Sequence, residues 1–129
     1  MDDRIERYRT IIPLIIEEYA SYTPSNGKIE TEAIVDRNRD HYEVMHIGWD
    51  GECRVHGCVI HVDIRDGLVW VQHDGTDRAV ADELVAAGIP REDIVLGFQP
   101  EYIRQYTPFP NSGTRVTRPE ETSAPARGQ

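Results

Sequence analysis

Residues 58–73, CVIHVDIRDGLVWVQH, determine the fold class of this chain. Two apolar-rich runs flank Asp66-Gly67, and Asp-Gly is among the strongest signals for a two-residue hairpin turn because glycine adopts positive φ without a steric penalty. Such a turn predicts a register in which Ile64 faces Val69. The residues predicted to share the core face of this hairpin are Cys58, Ile60, Val62, Ile64, Val69 and Val71.

The hairpin extends upstream into a longer antiparallel sheet. Alternating or β-rich segments precede it, separated by a polar turn at residues 36–40 and by Asp50-Gly51. Strands joined by such short turns must be antiparallel neighbours. The sequence therefore predicts a four-stranded meander with strands at Ile29–Val35, His41–Trp49, Cys53–Ile64 and Leu68–His73.

Helical patterns flank the meander on both sides. Apolar residues recur at three- and four-residue spacing from Ile5 to Tyr22, which predicts an amphipathic helix that Pro13 bends or briefly interrupts. After the sheet, Thr76 is placed to cap a second helix over Asp77–Ala87. A buried extended segment, Ile94–Phe98, and a short helix over Pro100–Tyr106 are predicted to follow.

These elements predict an α+β fold: an N-terminal helix on an antiparallel four-stranded β-meander, followed by a second helix and a short C-terminal strand/helix unit. The domain is expected to occupy residues 1–109. From Pro110 onward prolines, serines, threonines and charged residues replace apolar ones, so residues 110–129 are predicted to be a disordered tail.

Charge and composition limit the function classes. Residues 1–109 contain 21 acidic and 11 basic residues, so we expect no direct binding to nucleic acid, which needs a basic surface. No apolar run approaches the roughly 20 residues of a membrane span. Cys53 and Cys58 form no disulfide or zinc framework by their spacing, so they are expected to be reduced thiols in a cytoplasmic protein. A homo-oligomer remains open.

The predicted outer face of the sheet carries the most distinctive polar residues. His61, Asp63 and Gln72 are expected to lie together there with Trp70. Large aromatic side chains often dominate interfaces, so Trp70 and the C-terminal Tyr102 and Tyr106 complete a predicted partner-binding set. The alternative is that the last helix of the same chain covers Trp70.

The sequence gives weaker evidence that the same face binds a metal or carries out catalysis. His61 and Asp63 have the two-residue spacing of strand-borne ligands, but a third strong ligand is not evident, so neither a metal nor another cofactor is predicted. His41, His46 and His56 could approach one another across the second hairpin. Because no nucleophile accompanies them, we predict no catalytic residues.

A series of segments, taken together and in order, resembles the XisI family over residues 1 to about 109. The segments are YASYTPSN (19–26), HIGWDG (46–51), VHGCVIHVDIRD (55–66), GLVWVQ (67–72), DGT (74–76), GIPREDIVLGF (88–98) and PEYIRQYTPF (100–109). Gln99 and Glu101 depart from the His and Pro that are commoner in the family.

The resemblance implies a non-enzymatic regulatory factor that acts with a XisH-like endonuclease partner in the excision of a DNA element. It supplies no catalytic residues. Two other classes remain open: an antitoxin-like inhibitor whose acidic surface masks the nuclease, and a small hydrolase that uses the face carrying His61 and Asp63.

Overall fold

A computed structural model describes residues 3–22, 24 and 28–113 of the chain. Residues 114–129 of the predicted tail lie outside the described residues. In chain order the elements are α1 (Asp3–Ala20), β1 (Lys28–Asp36), β2 (His41–Asp50), β3 (Cys53–Arg65), β4 (Leu68–Asp74), α2 (Val80–Ala86), a 3₁₀ turn (Arg91–Asp93), β5 (Ile94–Leu96) and α3 (Glu101–Arg104).

The strands form one sheet in the order β1-β2-β3-β4-β5. The first four are antiparallel neighbours, as predicted, and β5 adds a fifth strand parallel to β4. Asp66 and Gly67 have φ of 53° and 79°, the two positive values that a type I′ turn requires. This turn produces the predicted pairing of Ile64 with Val69, and the α+β fold class is confirmed.

The hydrophobic core lies between one face of the sheet, called here the inner face, and the two longer helices. Tyr8, Ile12 and Ile16 of α1 are fully buried there, as is Leu84 of α2. α1 is a single helix that continues through Pro13, so the alternative of a short break is wrong. Within residues 3–22, 24 and 28–113, no helix is long and apolar enough to cross a membrane.

A β-bulge in β3 changes which side chains face the core. Val44 pairs with Ile60 but Met45 pairs with Cys58, so Val59 is the extra residue. Ile60 is fully buried in the core, whereas Cys58 is only half-buried and is not among the core residues. The prediction that Cys58 shares the core face is therefore wrong, because the bulge interrupts the alternation of side-chain direction between Cys58 and Ile60.

The start of α2 also differs from the prediction. The helix begins at Val80, after Ala79 in the left-handed region with φ of 56°, and not at Asp77. Asp74 organises the turn: its Oδ1 accepts from the backbone N–H and the hydroxyl of Thr76, and its Oδ2 accepts from the backbone N–H of Val80 at 2.9 Å. Asp74, rather than Thr76, therefore supplies the capping oxygen.

A buried polar contact joins the two ends of the domain on the inner side. Asp93 is fully buried, and its Oδ2 accepts a hydrogen bond from the Tyr8 hydroxyl. The guanidinium of Arg4 lies 3.7 Å from the same oxygen. Because Tyr8 and Asp93 are 85 residues apart, this contact connects α1 directly to the segment that leads into β5.

Candidate functional site

Two pairs of polar residues form a square on the outer face of β2 and β3. His41 lies directly opposite Asp63, and Glu43 lies directly opposite His61. Directly opposite residues point to the same side of a sheet, and so do residues two apart on one strand. The four side chains therefore converge; we call them the outer-face cluster.

Asp63 is the central acceptor of the outer-face cluster, with only 3% of the residue exposed. Its Oδ1 lies 2.8 Å from Nε2 of His61 and 3.3 Å from Nδ1 of His41. Its Oδ2 is 3.0 Å from the Arg65 guanidinium and 3.3 Å from the side-chain amide of Gln72. Both carboxylate oxygens are thus engaged, which allows a charged group to be buried.

The two histidines lie side by side with a carboxylate on each side of them. The ring centroids of His41 and His61 are 4.4 Å apart, and Nε2 of His41 is in hydrogen-bond contact with Glu43. One donor atom from each of His41, Glu43 and His61 can be chosen so that all lie within 4.8 Å of one another. Three candidate ligands are therefore present on this face, although Asp63 of the predicted pair is not one of them.

The structure corrects two expectations about neighbouring residues. Gln72 lies with His61 and Asp63, as predicted, but it is not opposite His61: the pairing shifts between His61 and Val62, so His61 faces His73 and Gln72 contacts Asp63. Likewise His41 does not join the other histidines of the second hairpin, because His46 lies opposite Gly57 and His56 lies opposite Ile47. The histidine that meets His41 is His61.

Cys58 borders the outer-face cluster. Its thiol contacts Glu43 and donates to the carbonyl of Ile60 at 3.1 Å. Burial, followed by the negative charge of Glu43, raises the pKa of the Cys58 thiol to about 11. The thiol is therefore neutral at physiological pH and weakly nucleophilic.

Trp70 lies opposite Asp63 on the outer face, as predicted, but the chain's own C-terminal residues cover much of it. The Arg104 guanidinium stands 5.4 Å from the ring centroid, and a Cβ at Gly113 would lie 3.0 Å from the ring. Its Nε1 is buried and has no hydrogen-bond partner among the described residues. Val95 lies opposite Trp70 on β5, and Leu68 is two residues from Trp70 on β4; both are fully buried but are not part of the main core.

The C-terminal tyrosines are exposed, unlike Trp70. Tyr102 is 71% and Tyr106 is 80% exposed, and Phe98 nearby in the chain is 47% exposed. We call these three residues the aromatic patch. A shallow groove beside Tyr102 is lined by Glu101, Gln105, Pro110 and Ser112.

These observations define a small α+β protein with its two longer helices on one face of a five-stranded sheet and a polar cluster on the other. The family model described as XisI protein matches residues 1–110. The chain belongs to the XisI family.

Solved structures agree with this assignment. A XisI-like protein from Anabaena variabilis ATCC 29413 is 46% identical with a TM-score of 0.75, over 81% of this chain and 96% of the other. The fdxN element excision controlling factor XisI from the same organism is 34% identical with a TM-score of 0.71, over 82% of this chain and 96% of the other. No curated protein matches the chain.

Proposed function

We propose that this protein is a non-enzymatic controlling factor in the excision of a DNA element, and that it acts by binding a XisH-like endonuclease. The observation that carries the proposal is the likeness, at 34% identity and over nearly the whole length of the relative, to an fdxN element excision controlling factor. A regulatory role of this kind requires a surface for a protein partner and no catalytic centre of its own.

The charge of the chain favours a protein partner over DNA. The 21 acidic and 11 basic residues in positions 1–109 oppose contact with phosphates. A nuclease must present a basic surface to its substrate, and an acidic protein is electrostatically suited to approach it.

The aromatic patch is the surface that best suits such a partner. Exposed tyrosines next to a shallow groove can fill pockets in another protein and exclude water from neighbouring polar contacts. Trp70 contacts the same helix, because the Arg104 guanidinium of α3 lies 5.4 Å from the centroid of its ring. Trp70, which the sequence predicts to contact the partner directly, contributes in this proposal indirectly through α3.

The first test is co-purification of the full chain with a XisH-type protein encoded in the same genome. We expect a stable complex, and we expect the double variant Tyr102→Ala/Tyr106→Ala to weaken it by about tenfold or more, since truncation of an interface aromatic costs roughly 2 kcal/mol. Leu14→Ala is the matched control, because Leu14 is a 67% exposed hydrophobic residue on α1. A complex that forms equally well with the double variant would rule out the aromatic patch; no complex at all would rule out the proposed partner.

The second test separates a controlling factor from an antitoxin-like inhibitor, which the net acidic charge also supports. Cleavage of plasmid DNA by the nuclease is measured with and without this protein. Increased or redirected cleavage supports the controlling factor, whereas suppressed cleavage supports the inhibitor. The protein alone is expected to neither cut nor retard duplex DNA at near-physiological salt.

A further inference from the structure

We propose that His41, Glu43 and His61 bind a divalent transition-metal ion, with zinc the favoured species. Two imidazoles and one carboxylate from adjacent strands present donor atoms that all lie within 4.8 Å of one another. Nitrogen and carboxylate oxygen ligands in this combination suit zinc and neighbouring first-row ions, and they suit magnesium or calcium poorly.

The sheet itself brings the three ligands together. Glu43 and His61 are directly opposite each other, and His41 is two residues from Glu43 on the same strand. The bulge at Val59 is essential to this arrangement, because a one-residue change of register moves a strand's side chains to the other face. Without it, Glu43 would face Ile60, which is a core residue.

Asp63 is placed to orient the two imidazoles. Its Oδ1 contacts one nitrogen of each ring, Nε2 of His61 and Nδ1 of His41, which leaves the second nitrogen of each ring for a metal. A carboxylate bonded to the far nitrogen of a ligand histidine fixes the ring and raises its basicity. Arg65 and Gln72 in turn hold the other oxygen of Asp63. Asp63 is therefore a positioning residue.

The charges of the cluster also favour a cation between the histidines. Arg65 offsets the charge of Asp63, whereas no lysine or arginine in the described part of the chain forms an ion pair with Glu43. A divalent ion bound by the two imidazoles and the Glu43 carboxylate would offset the negative charge of Glu43.

The proposed site is open on one side. About a third of the His41 side chain is exposed, and the depression beside it is lined by Ile34, Asp36 and Arg39. Three protein ligands leave a tetrahedral zinc ion with one position for water or for an anionic group. All three proposed ligands belong to this chain, so the test needs no partner protein.

The test is calorimetric titration of zinc chloride into the full chain, produced without a polyhistidine tag and freed of metal with EDTA. We expect one zinc ion per chain, and a visible absorption spectrum typical of tetrahedral coordination when cobalt(II) replaces zinc. His61→Ala should abolish that spectrum and reduce zinc affinity more than Asp63→Asn, for which about a 10- to 100-fold loss is expected. Magnesium in excess should not compete.

Two further variants keep the outcome decisive. Glu43→Gln preserves the size of the ligand and removes its charge, so it should lower zinc affinity while circular dichroism shows an unchanged fold. His56→Ala is the matched control, since His56 is an exposed histidine on β3 outside the cluster. Absence of stoichiometric zinc binding would overturn the proposal, and so would equal losses in His56→Ala and His61→Ala.

Discussion

The inner face of the sheet is covered by α1 and α2 and is lined by aliphatic side chains and Tyr42, whereas the outer face has a covered half and an open half. In the covered half, over β4 and β5, Gly97, Arg104 and Gly113 lie against Trp70. In the open half, over β1 to β3, Ile34 is 37% exposed and His41 is about as accessible. Each face nevertheless buries a carboxylate: Asp93 on the inner side and Asp63 on the outer side.

The partners of the two carboxylates explain why the faces differ. Asp93 contacts Tyr8 and Arg4 of a distant helix, and both partners are themselves buried. Asp63 contacts residues of its own and adjoining strands, and its cationic partner Arg65 is 62% exposed on its side chain. The inner carboxylate therefore links elements of the fold, whereas the outer one organises side chains at an accessible surface.

Removal of the inner carboxylate is expected to lower the free energy of unfolding more than any other change considered below. Asp93→Ala removes the group that Tyr8 and Arg4 share in a buried setting, and breaking a buried pair costs roughly 3–5 kcal/mol. Asp63→Ala should cost less, because water can solvate the exposed Arg65 instead. The free energy of unfolding in urea measures both, with the exposed Glu52→Ala as the baseline, expected within about 0.5 kcal/mol of the parent.

An equal or larger decrease in the free energy of unfolding for Asp63→Ala would contradict this comparison of the two carboxylates. It would mean that the outer-face cluster contributes to the fold as much as the inner contact does.

A second prediction concerns the close packing of β1 against β2 at Gly48, in the open half of the sheet. A Cβ at Gly48 would lie 2.0 Å from the carbonyl oxygen of Lys28, so β1 must shift in Gly48→Ala, at a cost of about 1–3 kcal/mol. Gly57→Ala is the matched control in the neighbouring strand, because an added Cβ there meets no atom within 4 Å. Similar melting temperatures for the two variants would show that β1 adapts freely.

The sequence was sufficient to predict the elements that depend on local chemistry. Asp66-Gly67 fixed the register of β3 against β4, and the amphipathic stripe of α1 predicted a helix that packs on the sheet. The start of α2 was predicted wrongly, because Asp74 and Thr76 are both capable caps and only the geometry of the turn decides between them.

The outer-face cluster could be predicted only in part. His61 and Asp63 were visible as a pair with two-residue spacing, and His41 and Glu43 repeat that pattern on the preceding strand. What the sequence does not indicate is the position of the bulge, at which Val59 is the extra residue. The pairing of β5 with β4 could not be predicted for a different reason: the two strands are parallel, and parallel neighbours are not joined by a tight turn that the sequence could show.

The predicted boundary between residues 109 and 110 stays a prediction. The structure shows that residues 110–113 contact the domain: the Arg104 guanidinium donates to the carbonyl of Ser112 at 2.7 Å, and the side-chain amide of Asn111 donates to the carbonyl of Glu92 at 2.8 Å. These contacts lie next to the covered half of the outer face. The residues that contact the domain therefore extend to Gly113, whose Cα lies beside the Trp70 ring.

The smallest expected effect separates two truncations. A chain ending at Gly113 should keep the parent's melting temperature, since the composition of residues 114–129 offers little apolar surface to bury. A chain ending at Phe109 loses the contacts of residues 110–113. If these contacts stabilise the fold by about 1 kcal/mol, the melting temperature of this chain should be lower by about 4–8 °C. The fluorescence of Trp70 gives a second comparison, because Trp70 is the remaining tryptophan in a Trp49→Phe background. In the chain ending at Phe109, the emission of Trp70 should lie further to the red than in the chain ending at Gly113, and iodide should quench it more strongly. Identical emission from the two truncated chains would mean that Arg104 and Gly97 cover Trp70 without help from residues 110–113, and the covered half of the outer face would then end at α3.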